Sequence, residues 1–389
     1  MIHETALIST MAVGLALAFV GGWLAHRVKL PPLVGYLVAG IAVGPFTPGF
    51  VADAKLAPEL AELGVIALMF GVGLHFSVGD LLAARKVAVP GAIAQIAVAT
   101  ALGISAASLW GWSLAGGLVF GLALSVASTV VLQRALESRS GTSTPEGRIA
   151  VGWLIVEDLL MIVVLVLLPA LSDKGGGGGW VAALGLTLGK LALFVAAMFL
   201  VGARLLPWIL HQVGRTGSRE LFTLGVIAVS LGVAYFSARL FDVSYALGAF
   251  CAGLLVHGSH ASDRAASGMK PFEDAFAALF FVSVGMLFDP TILTREPLRV
   301  LAVLGIVVLG KSLTAFAIVR LLKQPARTAL TVSAALAQIG EFSFILVGLG
   351  VDHGLLPEEG RSLVLAGALL SITLNPFLFG ALAPSKSGA

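Results

Sequence analysis

The sequence predicts an all-α protein that crosses a membrane many times, and three observations support this fold class. The composition is 58% hydrophobic and 12% charged, whereas a soluble domain carries roughly 25% charged residues. The mean hydropathy is +1.01, a value typical of integral membrane proteins. The apolar runs are long enough for spanning helices, and the alternating strands of about ten residues that a β-barrel requires are not visible.

Short charged or Pro/Gly-containing stretches divide the chain into about thirteen candidate helices. A helix rises 1.5 Å per residue, so about 20 apolar residues cross the hydrocarbon core. We place the helices at residues 5–26, 30–46, 56–77, 87–110, 113–136, 145–171, 180–210, 218–238, 243–258, 271–288, 297–322, 325–351 and 359–383.

The N-terminal stretch MIHETALISTMAVGLALAFVGGWLAHRVK has no basic region before its apolar run and no small-residue cleavage site. We therefore interpret it as a first spanning helix rather than a removed signal peptide. Cys251 is the only cysteine, so the chain cannot form an internal disulfide. The net charge of +3 is explained by basic cytoplasmic loops, and no nucleic-acid partner is expected.

The distribution of Lys and Arg predicts the orientation. The odd-numbered loops and the C-terminal tail contain sixteen basic residues, and the even-numbered loops contain six. Because cytoplasmic loops are enriched in Lys and Arg, the N-terminus is predicted outside and the C-terminus in the cytoplasm. The two remaining basic residues, Lys190 and Lys311, lie inside predicted helices.

A faint internal repeat relates the two halves of the chain. A shift of 212 residues places LMFGVGLHFS (68–77) on FFVSVGMLFD (280–289). The shift advances the chain by seven predicted helices, an odd number, so the two copies cross the membrane in opposite directions. We therefore predict inverted halves at about 1–171 and 218–383, joined by a linker helix at 180–210. This arrangement is typical of secondary transporters, although chance similarity between Gly/Ala/Leu-rich helices remains the alternative.

Two adjacent acids lie deep in the sixth predicted helix. Glu157 and Asp158 follow the helix start by about a dozen residues, which corresponds to roughly 18–20 Å of helix and therefore to the middle of the membrane. A charge at that depth is costly and usually functional. Neighbouring helical residues point about 100° apart, so one acid is expected to face an ion path and the other a partner helix.

Residues 305–312, GIVVLGKS, match the phosphate-binding expression G-x-x-x-x-G-K-[ST]. Their context does not fit it, because the match lies within a continuous apolar helix and follows no strand or loop. No nucleotide is therefore expected at this site. We interpret Lys311 instead as the counter-charge to an acid within the membrane.

The fifth and twelfth predicted helices, which the repeat relates, both contain polar interruptions at mid-depth. Such paired interruptions indicate broken helices around a transport site, although serines also pack between helices without any role in transport. The interrupting residues are Ser125, Ser128 and Thr129 in the fifth helix and Gln338, Gly340 and Glu341 in the twelfth.

Other polar residues carry weaker indications. Lys190 is expected to snorkel or to form a structural pair rather than to take part in transport. Glu273 and Asp274, at the predicted start of the tenth helix, form either a cytoplasmic cation funnel or a solvated helix start. The stretch SVGD (77–80) misses the GxGD pattern of intramembrane proteases, and no HExxH is present. These absences predict a transporter rather than an enzyme, without a cofactor.

The motifs VEDLL, STVVLQ, FFVSVGM, LGKS and LAQIGEFSF together resemble those of the monovalent cation:proton antiporter-2 family, especially its Kef-type and YbaL-like potassium:proton antiporters. The resemblance covers all thirteen predicted helices. It implies a sodium:proton antiporter-like fold and a homodimer in which an antiporter core moves against a dimerisation scaffold. It also implies that Asp158 carries the cation or proton and that Lys311 is the family lysine.

Two departures from the family pattern stand out. Kef proteins have Gln-Asp where this chain has Glu157-Asp158. Many relatives continue into a cytoplasmic nucleotide-binding domain, whereas residues 1–389 are predicted to form a single antiporter membrane domain without that regulatory part, and no nucleotide is expected to bind this chain.

The predicted function is therefore antiport of K⁺, or of Na⁺, against protons that compete with the cation for Asp158. The expected location is the bacterial inner membrane. A sodium-coupled organic-solute symporter on the same scaffold is the alternative. A passive potassium channel is disfavoured because no TVGYG filter is present.

Overall fold

The computed structural model describes residues 6–48, 56–75, 78–129, 131–132, 135–136, 144–172, 179–257 and 262–382. All regular structure within these ranges is helical, which confirms the predicted all-α class. The helices are α1 (Ala6–Arg27), α2 (Pro32–Ala42), α3 (Leu56–His75), α4 (Val78–Leu109), α5 (Leu114–Ser125), α6 (Pro145–Ser172), α7 (Gly179–Ala197), α8 (Ala203–Arg215), α9 (Arg219–Phe241), α10 (Tyr245–His257), α11 (Ser262–Met286), α12 (Ile292–Arg295), α13 (Pro297–Gly305), α14 (Lys311–Leu321), α15 (Ala326–Ala335), α16 (Glu341–Asp352) and α17 (Glu358–Leu382).

Two π-helical segments join helices that the sequence predicted as continuous. Met198–Gly202 connects α7 to α8, and Ile306–Gly310 connects α13 to α14. A π segment closes its hydrogen bonds over five residues instead of four and often occurs near functional sites. The second segment ends directly before Lys311.

Most predicted boundaries lie close to the observed ones, but α2 ends at Ala42 rather than 46 and α8 ends at Arg215 rather than 210. Two helices also start earlier than predicted. Helix α4 begins at Val78 rather than 87, and α11 begins at Ser262 rather than 271. Both extensions contain charged residues, such as Arg85 and Lys270. Hydropathy identifies the apolar length of a helix, whereas the hydrogen-bonded helix continues beyond that length into polar surroundings.

Six helical stretches within the described ranges are long and apolar enough to cross a membrane, and three more are apolar but shorter. Of the three shorter helices, α5 ends at a break in the chain, and α10 is 13 residues long. The long stretches are Leu7–Arg27, Arg85–Leu109, Leu188–Arg215, Arg219–Phe241, Pro297–Leu321 and Glu358–Ala381.

The chain divides into two compact units. The first comprises Met1–Gly21, Gly35–Phe76 and Val164–Leu287. In this unit α3 packs against α10 at a close approach of two glycines. A Cβ on Gly73 would lie 2.3 Å from the carbonyl oxygen of Phe250, and one on Gly253 would lie 2.2 Å from that of Phe70. The two helices therefore touch backbone to backbone, as membrane helices do where small residues face each other.

The second unit comprises Gly22–Val34, Ser77–Val163 and Phe288–Ala389. Its apolar core surrounds Trp153 of α6, which is fully buried together with Leu132, Leu154 and Leu336. The indole lies against α4 at Gly91, where a Cβ would come within 2.1 Å of the ring. This packing fixes the depth and rotation of α6, the helix that carries both acids.

The glycine contact in the first unit is testable with Gly253→Ala. The added methyl group cannot be accommodated without separating two backbones, so we expect the free energy of unfolding to fall by about 1–3 kcal/mol or more. The measurement is the melting temperature of the purified protein in detergent. Gly232→Ala is the control, because nothing lies within 4 Å of a Cβ at that helical position, and a gain of up to about 1 kcal/mol is expected there. Equal melting temperatures for the two variants would contradict the close approach.

Candidate functional site

The first predicted interruption is a true break in the helix. Helix α5 ends at Ser125, the backbone of Val126 is extended with φ −86° and ψ 141°, and helical structure resumes at Thr129. The hydroxyl of Ser125 donates to the carbonyl of Leu122 at 2.7 Å. Ser125 therefore turns its side chain to its own helix and offers its carbonyl group to the surroundings.

The second predicted interruption is also a break. Helix α15 ends at Ala335 and α16 begins at Glu341, with Gly340 extended between them at φ −102° and ψ 174°. The amide of Gly340 donates to the carbonyl of Val126 at 3.1 Å. A Cβ on Gly340 would lie 2.5 Å from the carbonyl oxygen of Ala127, so only glycine permits this approach. The two breaks, 126–128 and 336–340, thus touch each other, and we call this contact the crossing.

Gln338 joins the two breaks through both ends of its side-chain amide. Its Oε1 accepts from the amide of Ser128 at 2.9 Å, and its Nε2 donates to the carbonyl of the same residue at 3.1 Å. Gln338 is fully buried. In an apolar environment each unpaired backbone group costs several kcal/mol. Gln338 supplies the partner of the Ser128 amide and a second donor to the Ser128 carbonyl, which also accepts from the amide of Leu132 at 3.1 Å.

Lys311 lies against the carbonyl ends of both breaks. Its Nζ donates to Val126 O at 3.0 Å and to Gln338 O at 2.8 Å, and the side chain is fully buried. The carbonyl end of a helix carries a partial negative charge, so the ammonium group compensates two such ends at once. The charge of Lys311 also interacts with that of Glu157.

Both carboxylate oxygens of Glu157 already have donors. Oε2 accepts from the amide of Ala127 at 2.9 Å, and Oε1 accepts from the indole Nε1 of Trp153 at 3.2 Å. The side chain is fully buried. Glu157 therefore secures α6 to the first break, and its carboxylate is held in one orientation.

Two residues of this network were not predicted from the sequence. Trp153 donates to Gln95 Oε1 at 3.4 Å, and Gln95 Nε2 donates to the carbonyl of Ser125 at 3.0 Å. A signal for each was present in the sequence. Gln95 is a lone amide in the apolar run PGAIAQIAVAT, and Trp153 precedes Glu157 by four residues, which places both on one helix face.

Asp158 differs from its neighbour in keeping an oxygen without a donor. Oδ2 accepts from the Thr129 hydroxyl at 3.2 Å, whereas Oδ1 is buried and has no hydrogen-bond partner within the described ranges. Glu341 shows the same pattern. One of its oxygens accepts from the hydroxyl of Ser128, and Oε2 has no partner among those residues. The charges of Asp158 and Glu341 interact, so two incompletely bonded carboxylates act on the same region.

The weaker candidates lie in the first unit and have their own partners. Lys190 pairs with Asp242 at 3.1 Å, the structural pair that was one of the predicted options. Lys270 pairs with Glu273 and Asp274, each at 3.1 Å. Since α11 begins at Ser262, these acids lie inside the helix rather than at its start. A funnel role for Glu273 and Asp274 stays a prediction.

Comparison with known proteins identifies the family. The model described as "Sodium/hydrogen exchanger, transmembrane" matches residues 15–383. The chain belongs to this family. It is 60% identical over 385 residues to YbaL of Escherichia coli (strain K12), a protein named for cation/proton antiport, and this match covers 98% of the chain and 69% of that protein.

More distant relatives agree with this assignment. K(+) efflux antiporter 4 of Arabidopsis thaliana is 33% identical over 378 residues, which are 97% of this chain and 64% of that protein. The fold matches the sodium proton antiporter MjNhaP1 of Methanocaldococcus jannaschii with a TM-score of 0.69 at 15% identity, over 99% of this chain and 100% of that one. The predicted antiporter-like fold is thereby confirmed.

The bridging role of Gln338 is testable with Gln338→Leu. The variant leaves the buried amide of Ser128 without its partner, whereas the carbonyl of Ser128 still accepts from the amide of Leu132 at 3.1 Å. We therefore expect the free energy of unfolding to fall by about 1–3 kcal/mol. Thermal unfolding in detergent measures the change. Gln212→Leu serves as the control, because Gln212 is exposed on α8. If both variants melted at the wild-type temperature, the bridge would not stabilise the crossing.

Proposed function

We propose that the chain is a secondary active antiporter that exchanges a monovalent cation, K⁺ or Na⁺, for protons at Asp158. The observation that carries this proposal is the buried Oδ1 of Asp158, which has no donor within the described ranges and lies on a carboxylate bonded to the broken segment through Thr129. A buried carboxylate with an unused oxygen can bind either a cation or a proton. The family and the relatives named for cation/proton antiport support the same reaction.

The two adjacent acids have different parts in this proposal. Glu157 is bonded by two fixed donors, so it braces the crossing and balances the charge of Lys311. Asp158 is left to exchange its ligand. This division agrees with the 100° between neighbouring side chains on a helix, which prevents the two acids from sharing one site equally.

Several oxygens can replace the hydration shell of a cation at Asp158. The carboxylate supplies the charge, the hydroxyls of Thr129 and Ser128 turn their lone pairs to the ion, and the second carboxylate, Glu341, adds attraction. Hard monovalent cations prefer oxygen ligands of this kind, as carbonyl and carboxylate sites in channels do. The ions are substrates of the site and leave it in every cycle.

Competition at one carboxylate makes the exchange obligatory. Ionised Asp158 binds the cation, and a proton arriving at the same oxygen displaces it. Since Asp158 cannot hold the cation and the proton together, each movement of the site across the membrane carries either the cation or the proton. We propose elevator-type alternating access, in which the unit that contains the crossing moves as a rigid body, because all the bonded groups of the site belong to that unit.

The relatives bear on the ion and the assembly. K⁺ is favoured by the relatives named for potassium efflux, and Na⁺ by the sodium/hydrogen exchanger family. We propose a homodimer in the bacterial inner membrane, with the N-terminus outside, from the family resemblance and the distribution of Lys and Arg.

The alternative function is a sodium-coupled solute symporter. Such a symporter would show no exchange of cations against protons.

Asp158→Asn tests the central claim. The amide cannot exchange a proton for a cation, so we expect cation-dependent dissipation of a pH gradient to disappear. The assay uses everted vesicles with a pH-sensitive dye and K⁺, Na⁺ and Li⁺ in turn, with and without a membrane potential. Asp242→Asn is the matched control, since Asp242 caps α9 in the left-handed region at φ 59°, which Asn also tolerates. Full cation:proton exchange by Asp158→Asn would contradict the proposal.

Glu341→Gln tests the contribution of the second carboxylate. Removing its charge weakens the attraction for the cation, so we expect the cation concentration for half-maximal exchange to rise about tenfold or more, which corresponds to roughly 1.4 kcal/mol. The maximal rate should remain measurable because Asp158 is intact. Glu296→Gln is the control, since Glu296 pairs with Arg299 away from the crossing. An unchanged half-maximal concentration for Glu341→Gln would remove Glu341 from the cation site.

A further inference from the structure

A cavity of about 250 Å³ lies in the first unit between the opening turns of α9 and α11. Two arginines from different helices reach it, and two hydroxyl side chains complete its polar lining. The cavity is lined by Arg219, Phe222, Thr223, Arg264, Ser267 and Gly268. Neither the transport proposal nor the comparison with relatives gives this cavity a role.

The guanidinium group of Arg264 is held in place from two sides. It stacks over the ring of Phe222, with Cζ 4.1 Å from the ring centroid. Its Nη2 donates to the carbonyl of Ser218 at 3.4 Å. A guanidinium group presents five N–H donors in a planar fork, so the remaining donors of Arg264 keep a fixed direction at the edge of the cavity.

Neither arginine of the cavity has a carboxylate partner within the described ranges. Glu220 and Asp263 each neighbour one of them in the chain, yet no ion pair within 4.0 Å forms with Arg219 or Arg264. Arg299 and Arg361, in contrast, each pair with two acids. Two cations at one cavity repel each other unless an anion lies between them.

We propose that this cavity binds a phosphate-type oxyanion, held by Arg219 and Arg264 with the hydroxyl of Thr223. Arginine forks match the oxygen geometry of phosphate and bind it through two parallel hydrogen bonds. The hydroxyl of Ser267 already donates to the carbonyl of Arg264 at 3.0 Å, so its proton is not available to the phosphate.

The position of the cavity favours a phospholipid headgroup as the source of the phosphate. The apolar span of α9 begins at Arg219 itself, so the cavity lies at the depth where the hydrocarbon region gives way to headgroups. The distribution of Lys and Arg predicts that this end faces the cytoplasm, where anionic lipids attract basic residues. A bound headgroup would link α9 to α11 and neutralise the repulsion between the two arginines.

The test compares phosphatidylglycerol with phosphatidylcholine in mixed micelles of the full chain. We expect phosphatidylglycerol to raise the melting temperature of the wild type more than phosphatidylcholine does.

Arg219→Gln should weaken the apparent affinity for phosphatidylglycerol by about tenfold or more, as the loss of one charge-assisted hydrogen bond implies. Arg219 is exposed, so this variant is expected to fold. Arg264→Lys keeps the charge but loses the fork, and should also weaken binding.

Arg215→Gln is the matched control, because Arg215 is an exposed arginine of α8 that does not line the cavity. A separate arm titrates inorganic phosphate without added lipid. Stabilisation by phosphatidylglycerol alone assigns the site to lipid, and stabilisation by inorganic phosphate as well assigns it to the free anion. If Arg219→Gln and Arg215→Gln respond to both probes as the wild type does, the cavity binds no phosphate group and the proposal is overturned.

Discussion

The need to pair backbone groups where two helices stop inside an apolar environment governs the second unit. A break exposes amides and carbonyls that no water can satisfy at that depth. The structure pairs them across the crossing. Gln338 bonds the backbone of Ser128, Gly340 donates to Val126, and Lys311 bonds the carbonyls of both breaks. The polar residues at the crossing are therefore explained first by the need to pair the backbone groups of the breaks.

The same constraint separates groups whose hydrogen bonds are all used from groups that keep an unused oxygen. Glu157 and Lys311 hold fixed hydrogen bonds to the breaks, and Gln95 with Trp153 supports them from α4 and α6. A scaffold with its bonds fully used changes little when a substrate ion arrives or leaves. Asp158 and Glu341 each keep one buried oxygen without a hydrogen-bond partner within the described ranges, and the proposed cation site is built on these two acids.

The sequence predicted the helical class, most helix positions and both breaks, because a polar residue in an apolar helix stands out locally. It could not say which of Glu157 and Asp158 is fully bonded, since the donors come from Ala127 and Thr129, about thirty residues away in the chain. Gln95 was missed for the same reason: its partners lie on other helices. The early starts of α4 and α11 were missed because hydropathy measures burial in lipid rather than helix length.

The π segment Ile306–Gly310 gives the misleading stretch GIVVLGKS a physical meaning. A π turn accommodates one more residue than an α turn, so everything after it is rotated by roughly 100° relative to an uninterrupted helix. The phase of α14, and with it the direction in which Lys311 points, is thus set by a single additional residue bracketed by Gly305 and Gly310. Shortening this stretch by one residue would leave the composition almost unchanged and turn the ammonium group away from both carbonyls.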